Sequence, residues 1–144
     1  SGILILMWIY RANYNVRRLG AVDMSFSPAW SIAWYFIPVA NLWMPYSAMK
    51  EIWEKSYEVN GWRESHGNPL LIWWWLLWLF TNVVGRVVER MYREAESIEE
   101  LIRANILFFP AYALSVLLAF VFLRLMNDIY VAQMTCAKKK ELVS

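Results

Sequence analysis

The side chains able to do chemistry are few and poorly assorted for catalysis. His66 is the one histidine, Cys136 the one cysteine, and Asp23 and Asp128 the only aspartates. A Ser-His-Asp arrangement would need His66 at its centre, and no G-x-S-x-G is present. Haem ligation by two histidines of the chain is impossible, and a zinc site lacks its usual ligands. No glycine-rich phosphate loop occurs. A lone cysteine excludes an intrachain disulfide. Cys136 precedes Lys138, Lys139 and Lys140, where palmitoylation is conceivable, but the reading adopted is an unmodified thiol. The glutamates between positions 94 and 100 read as a solvated face. The expectation is a protein without catalytic residues, metal or cofactor.

Polar groups within apolar runs are the other chemically suggestive set, because they are costly in a membrane. Asn41 and Asn82 lie inside uncharged runs. Arg11, Asn13, Asn15, Arg86, Arg103 and Asn105 lie at the edges of such runs. One reading is a pocket for a lipid head group, with Arg11 or Arg86 on the phosphate. The plainer reading has the asparagines hydrogen-bonding between helices and the arginines snorkelling to water. Trp73, Trp74, Trp75 and Trp78 could face a partner, or form an aromatic belt at the membrane boundary. The Lys138–Lys140 run could attract anionic lipid, or simply anchor the end of a helix.

The elements that carry these residues are set by hydropathy. The 144 residues suffice for one domain, and 60% are hydrophobic against 18% charged. Soluble domains run at roughly 45–50% and about 25%. Net charge is +2, with basic and acidic residues dispersed, so no face suits nucleic acid. Residues 70–88 carry four of the ten tryptophans, and positions 65–85 hold no charge, which reads as a transmembrane helix over 69–95. A second uncharged run of 20 residues, 104–123, lies in a helix expected over 97–128. At about 1.5 Å per residue it spans the roughly 30 Å of a hydrocarbon core. Ser97 and Glu100 form a capping-box pattern, so the two helices make an antiparallel hairpin.

The remaining segments are read around that hairpin. Residues 1–18 are the end of a transmembrane helix, whose apolar part, Ile3–Tyr10, is followed closely by Arg11, Arg17 and Arg18. Residues 28–45 form a broken membrane helix that starts at Ser27-Pro28 and is interrupted at Pro38 and again at Pro45. Residues 46–58 alternate Tyr46, Met49, Ile52, Trp53 and Tyr57 with charged residues. They read as an amphipathic helix lying in the membrane surface, with Lys50–Glu54 and Glu51–Lys55 as i,i+4 pairs. Positions 59–68 form a loop, and 129–144 a basic tail. If 28–45 crosses the membrane, the basic residues divide equally between the two sides. If it re-enters and returns, they divide ten to four, the arrangement that the positive-inside rule favours.

Several motifs in sequence carry a resemblance. They are R-A-N-Y-N at Arg11–Asn15, F-S-P-A-W at Phe26–Trp30, F-I-P-V-A-N-L-W-M-P-Y at Phe36–Tyr46, E-I-W at Glu51–Trp53 and W-W-W-L-L-W at Trp73–Trp78. In this order the chain resembles a bacterial membrane family known as a domain of unknown function, number four-three-two-eight. Members usually carry further helical sequence upstream. The resemblance implies a multi-pass protein of the bacterial inner membrane and supplies no reaction. The sequence thus leads to an all-α polytopic membrane protein. Its expected role is a non-enzymatic structural or accessory subunit, with lipids and other membrane subunits as partners. The alternative is a small transporter or channel with its site at the broken helix around Asn41. A lipid-modifying enzyme would need an acid–base pair near Arg11 or Arg86, and none is evident.

Overall fold

The structure, a computed structural model, describes residues 2–62 and 67–143. His66 and part of the expected 59–68 loop lie outside the described residues. Every regular element among the described residues is helical: α1 (Gly2–Arg18), α2 (Pro28–Ala33), α3 (Met44–Glu58), α4 (Pro69–Glu94) and α5 (Ile98–Val143). Two 3-10 turns, Trp34–Phe36 and Ala40–Leu42, join α2 to α3. The chain divides into two compact units: Ser1–Leu71 with Leu125–Ser144, and Ile72–Arg124.

Helix ends follow local chemistry. Ser27 caps α2, its hydroxyl accepting from the Trp30 amide at 3.3 Å, and Pro28 occupies the first turn. α1 and α3 both end in a glycine with positive φ, Gly20 (103°) and Gly61 (84°). Ala21 N–H donates to Val16 C=O and Gly20 N–H to Arg17 C=O. Trp62 and Gly61 repeat this pairing on Tyr57 and Glu58. Both are Schellman stops, and Trp62 supplies the second with its apolar contact by lying 5.2 Å from the Tyr57 ring. Ser97 caps α5 through the Glu100 amide at 3.3 Å, while the Glu100 carboxylate accepts from the Glu96 amide.

Two expectations are corrected by the helix boundaries. Pro45 does not interrupt a helix but sits in the first turn of α3, where its missing N–H has no partner to lose. The break before it is set by Ile37, held extended (φ −95°, ψ 111°) because Pro38 disfavours helical geometry in its predecessor. The supposed basic tail over 129–144 is helix as far as Val143, so α5 runs 46 residues without interruption and carries Pro110 within it.

In the first unit, α1, α3 and the end of α5 run parallel. The Gln133 side-chain amide donates to the Ala12 carbonyl at 3.0 Å and to the Ser56 hydroxyl at 3.1 Å. One turn on, the Cys136 thiol donates to the Val59 carbonyl at 3.4 Å. Farther still, Lys140 Nζ lies 3.4 Å from where a Cβ on Gly20 would stand. These pairings advance in the same direction on all three helices. Buried residues recur every three or four positions on each: Ile9, Ala12, Asn13 and Val16; Ala48, Met49, Ile52, Trp53 and Ser56; Leu125, Ile129, Ala132, Gln133 and Cys136. The apolar side of α3 was expected to rest on lipid. Met49, Ile52 and Trp53 are instead buried in protein, because α1, α2 and α5 supply the cover.

The second unit is an antiparallel hairpin. Tyr92 on α4 donates its hydroxyl to Asn105 on α5 at 2.6 Å, and its ring meets Phe108 edge-on at 5.8 Å. Trp74 stacks on Phe122 at 5.9 Å. Both α4 and α5 are long and apolar enough to cross a membrane, with mean hydropathy of 1.5 and 2.5 over their most apolar windows. Glu89–Arg93 forms an i,i+4 pair at 3.4 Å, joined by Arg90–Glu94 at 2.8 Å.

Gln133→Leu tests the parallel packing. It keeps the volume and removes two buried hydrogen bonds, each worth about 0.5–1.5 kcal/mol. The expected loss is about 1–3 kcal/mol, seen as a lower midpoint of thermal unfolding in detergent. An unchanged midpoint would show that the amide does not hold the helices.

Candidate functional site

The first polar constellation is built by α1 and α3 around the connection that leaves α1. Asn13, fully buried, donates from Nδ2 to the Phe26 carbonyl at 2.9 Å. Arg17, one turn later, donates to Asn13 Oδ1 at 3.0 Å and to the carbonyls of Phe26 (2.9 Å) and Met24 (3.3 Å). From the other side Glu51 takes the Ser25 and Phe26 amides on its two carboxylate oxygens. A run of backbone is therefore held by donors to its carbonyls and an acceptor for its amides. That satisfies groups which would be costly to leave bare. Asn13, Phe26 and Glu51 belong to three of the motifs that carry the family resemblance, and they meet here.

This use of Glu51 explains a pairing that differs from expectation. Lys50–Glu54 forms at 3.7 Å, but Lys55 joins Glu58 at 2.9 Å. The Glu51 carboxylate is already occupied by backbone amides. The Glu58 hydrogen bond holds the Lys55 ammonium above its usual range. Arg17 and Glu51 were not singled out from the sequence, although Asn13 and Arg17 are one helical turn apart. Ser56, Asn60 and Gln133 were missed as well. Asn60 donates to the carbonyls of Ser56 and Ala132, which fixes the end of α3 against α5. The available signal was the spacing Leu125, Ile129, Ala132 and Cys136, a helical stripe running through the supposed tail.

Arg11, Asn13, Asn15, Asn41, Asn82, Arg86 and Asn105, the candidate polar cluster, do not behave alike. Asn13 is buried, whereas Arg11 and Asn15 on the same helix are exposed. Asn82 is exposed and donates to the Trp78 carbonyl of its own helix at 2.8 Å. Asn105 joins α4 to α5 through Tyr92, the interhelical role expected of such asparagines. Arg86 is exposed. Asn41 lies in the second 3-10 turn, and its Oδ1 is buried without a hydrogen-bond partner among the described residues. The tryptophans also divide. Trp73 is 60% exposed, but Trp74 (3%) and Trp75 (7%) are buried, and Trp78 stacks on Trp75 at 4.8 Å. Trp74 and Trp75 therefore leave the partner-facing set, because successive helical residues point about 100° apart.

The second unit holds an open groove of about 410 Å³ between α4 and α5. Gly85 and Ala111 line it with little side chain, and Tyr92, Phe108 and Tyr112 supply aromatic walls. A Cβ on Gly85 would meet nothing within 4 Å, so the space beside it is open. Thr81 also lines the groove, and its hydroxyl is buried with no hydrogen-bond partner among the described residues. Among the described residues no three His, Cys, Asp or Glu side chains are placed to hold a metal ion.

Fold and site together define an all-helical protein with two helices long and apolar enough to span a membrane. The sequence profile of one family, described as "Domain of unknown function (DUF4328)", matches residues 1–130. The chain belongs to that family. Among curated proteins and among solved structures, no match to the chain is found.

Glu51→Gln tests the clamp on residues 24–26. Glutamine keeps the shape but turns one acceptor into a donor facing an amide. A loss of about 1–3 kcal/mol is expected for the stranded groups. Hydrogen exchange at the Ser25 and Phe26 amides should then quicken by roughly ten- to a hundredfold. Unchanged exchange there would remove Glu51 from the clamp.

Proposed function

We propose that the chain is a non-enzymatic protein of the bacterial inner membrane, an accessory or structural subunit packing against lipids and other membrane subunits. The observation that carries this reading is the outer side of α4. Trp73, Leu76, Phe80, Val83 and Val87 recur every three or four residues and are each at least half exposed. Such a stripe is stable only against hydrocarbon or another apolar helix.

In this reading the α4–α5 hairpin spans the bilayer, and residues 19–43 return the chain to the side they leave. That arrangement is the ten-to-four division of basic residues, and the richer side is cytoplasmic. The 46 residues of α5 extend about 69 Å, more than the roughly 30 Å of hydrocarbon they need to cross.

The test uses single cysteines introduced into a Cys136→Ser background in intact bacteria. Glu54→Cys and Lys139→Cys should react with a membrane-impermeant thiol reagent only after lysis, and Glu99→Cys before it. Opposite behaviour of positions 54 and 139 would refute this topology. Purification in mild detergent should recover a recurrent membrane partner. A partner-free monomer would count against the accessory role.

A second reading, a small transporter or channel, is favoured by the orphan acceptor of Asn41 in an irregular segment. Asn41→Leu should then abolish flux in proteoliposomes while helicity persists. If the variant unfolds, Asn41 is structural.

A further inference from the structure

We infer that the turn of the first unit at Phe36–Trp43 is a bilayer-inserting tip, which sinks among the acyl chains of one leaflet while the C-terminal ends of α1, α3 and α5 stay in water. The inference rests on the reading that residues 19–43 return to the side they leave, and it names what their turning point touches.

The first observation is where the unit exposes apolar surface. No charged side chain occurs from Met24 to Met49. Phe36, Val39 and Leu42 are more than half exposed, and Trp43 nearly so. They adjoin the start of α3 at Met44, twelve residues before Ser56. At about 1.5 Å per residue, that start lies about 18 Å from the level of the Gln133 amide. Beyond that level in the opposite direction stand Arg17 and Arg18 on α1, Glu58 on α3, and Lys138, Lys139 and Lys140 on α5. The unit thus has an apolar end and a charged end. Such an apolar patch marks contact with a membrane or a protein.

The order of charges chooses the membrane. Counting from the apolar end, the first charge on α1 among the described residues is Arg11, and the first on α3 is Lys50. Both are cations. Lys50 stands six residues past Met44, and Arg11 eight past the exposed Ile3, about 9 and 12 Å along the axes. A bilayer presents the matching sequence of layers. Hydrocarbon comes first, then phosphate, which attracts cations whose stems lie along the apolar layer. The apolar surface of a protein partner makes no such demand. Both depths are under half of the roughly 30 Å hydrocarbon core, so the tip ends within one leaflet.

The third observation is the backbone. Irregular backbone enters hydrocarbon only where its polar groups are met within the protein. The Asn41 N–H donates to the Ile37 carbonyl at 2.8 Å, and the amides of Leu42 and Trp43 donate to the carbonyls of Val39 and Ala40, each at 3.2 Å. The Trp43 carbonyl accepts from the Ser47 amide at 3.1 Å and from the Ser47 hydroxyl at 3.2 Å. Pro38 has no N–H to leave bare. Asn41 keeps its side-chain oxygen buried. The surface left for lipid is Phe36, Val39, Leu42 and Trp43.

The experiment is electron paramagnetic resonance on the full chain in liposomes of dioleoyl phosphatidylcholine and dioleoyl phosphatidylglycerol. Single nitroxide labels are attached at Val39→Cys, Leu42→Cys or Lys139→Cys in a Cys136→Ser background. All three positions are exposed, so the labels displace no packed side chain. Collisions with oxygen, which dissolves in hydrocarbon, are compared with collisions with a water-soluble nickel chelate. The ratio of oxygen to nickel collisions should be several-fold higher at 39 and 42 than at 139, with both tip labels short of the bilayer midplane. Nickel-dominated collisions at 39 and 42 would overturn the tip, as would oxygen-dominated collisions at 139 or a depth beyond the midplane. Labels at 39 and 42 shielded from both reagents would show that protein covers the turn, and would overturn it too. Failure of the returning path shows itself separately, as opposite thiol labelling of positions 54 and 139 in intact bacteria.

Discussion

One buried amide, that of Gln133, ties three helices at a single level. Its two N–H groups reach the backbone of α1 at Ala12 and the hydroxyl of α3 at Ser56. Apolar stripes alone would let parallel helices slide by a turn at modest cost. A buried amide forbids this, because a slip strands its donors where no water can replace the lost partners. The register it sets places Cys136 against Val59 and Lys140 beside Gly20. The backbone clamp of Asn13, Arg17 and Glu51 then depends on α1 and α3 standing at the right height to grip the connection between them. The first unit is thus specified by a few polar contacts inside an apolar seam.

Much of the architecture is legible because it follows from local rules. Uncharged runs mark α4 and the first half of α5. Ser27-Pro28 and Ser97 mark helix starts, and Gly61 marks the end of α3, each through a hydrogen bond that the local sequence provides. What is not legible depends on neighbours. The apolar side of α3 looks the same whether it meets lipid or protein, and only the presence of α1 and the end of α5 decides it. Pro45 reads as a breaker until the helix start at Met44 shows that it occupies the one turn that tolerates proline. The end of α5 reads as a tail because Lys138–Lys140 draw attention from the stripe beneath them. The Trp73–Trp75 run looks uniform, yet one ring points out and two point in.

The functional residues divide along the same line. Asn13 and Asn105 are recognisable as polar residues that must find partners, and both do. Arg17, Glu51 and Gln133 are ordinary surface types by composition, and their roles arise from long-range contacts. The groove in the hairpin has no linear motif at all. Gly85 and Ala111 are distant in sequence and create space only when the two helices fold back on each other.

The parallel register of α1 and α5 is the point on which the packing of the first unit rests. Electron paramagnetic resonance distances between spin labels test it directly, in a Cys136→Ser background. One label replaces Arg18 on α1, and the second replaces either Lys139 or Asn127 on α5. The parallel arrangement predicts a narrow distribution for the 18–139 pair, shorter than for 18–127 by on the order of 10 Å, given about 1.5 Å of rise per helical residue. A broad 18–139 distribution, or one longer than that for 18–127, would contradict it.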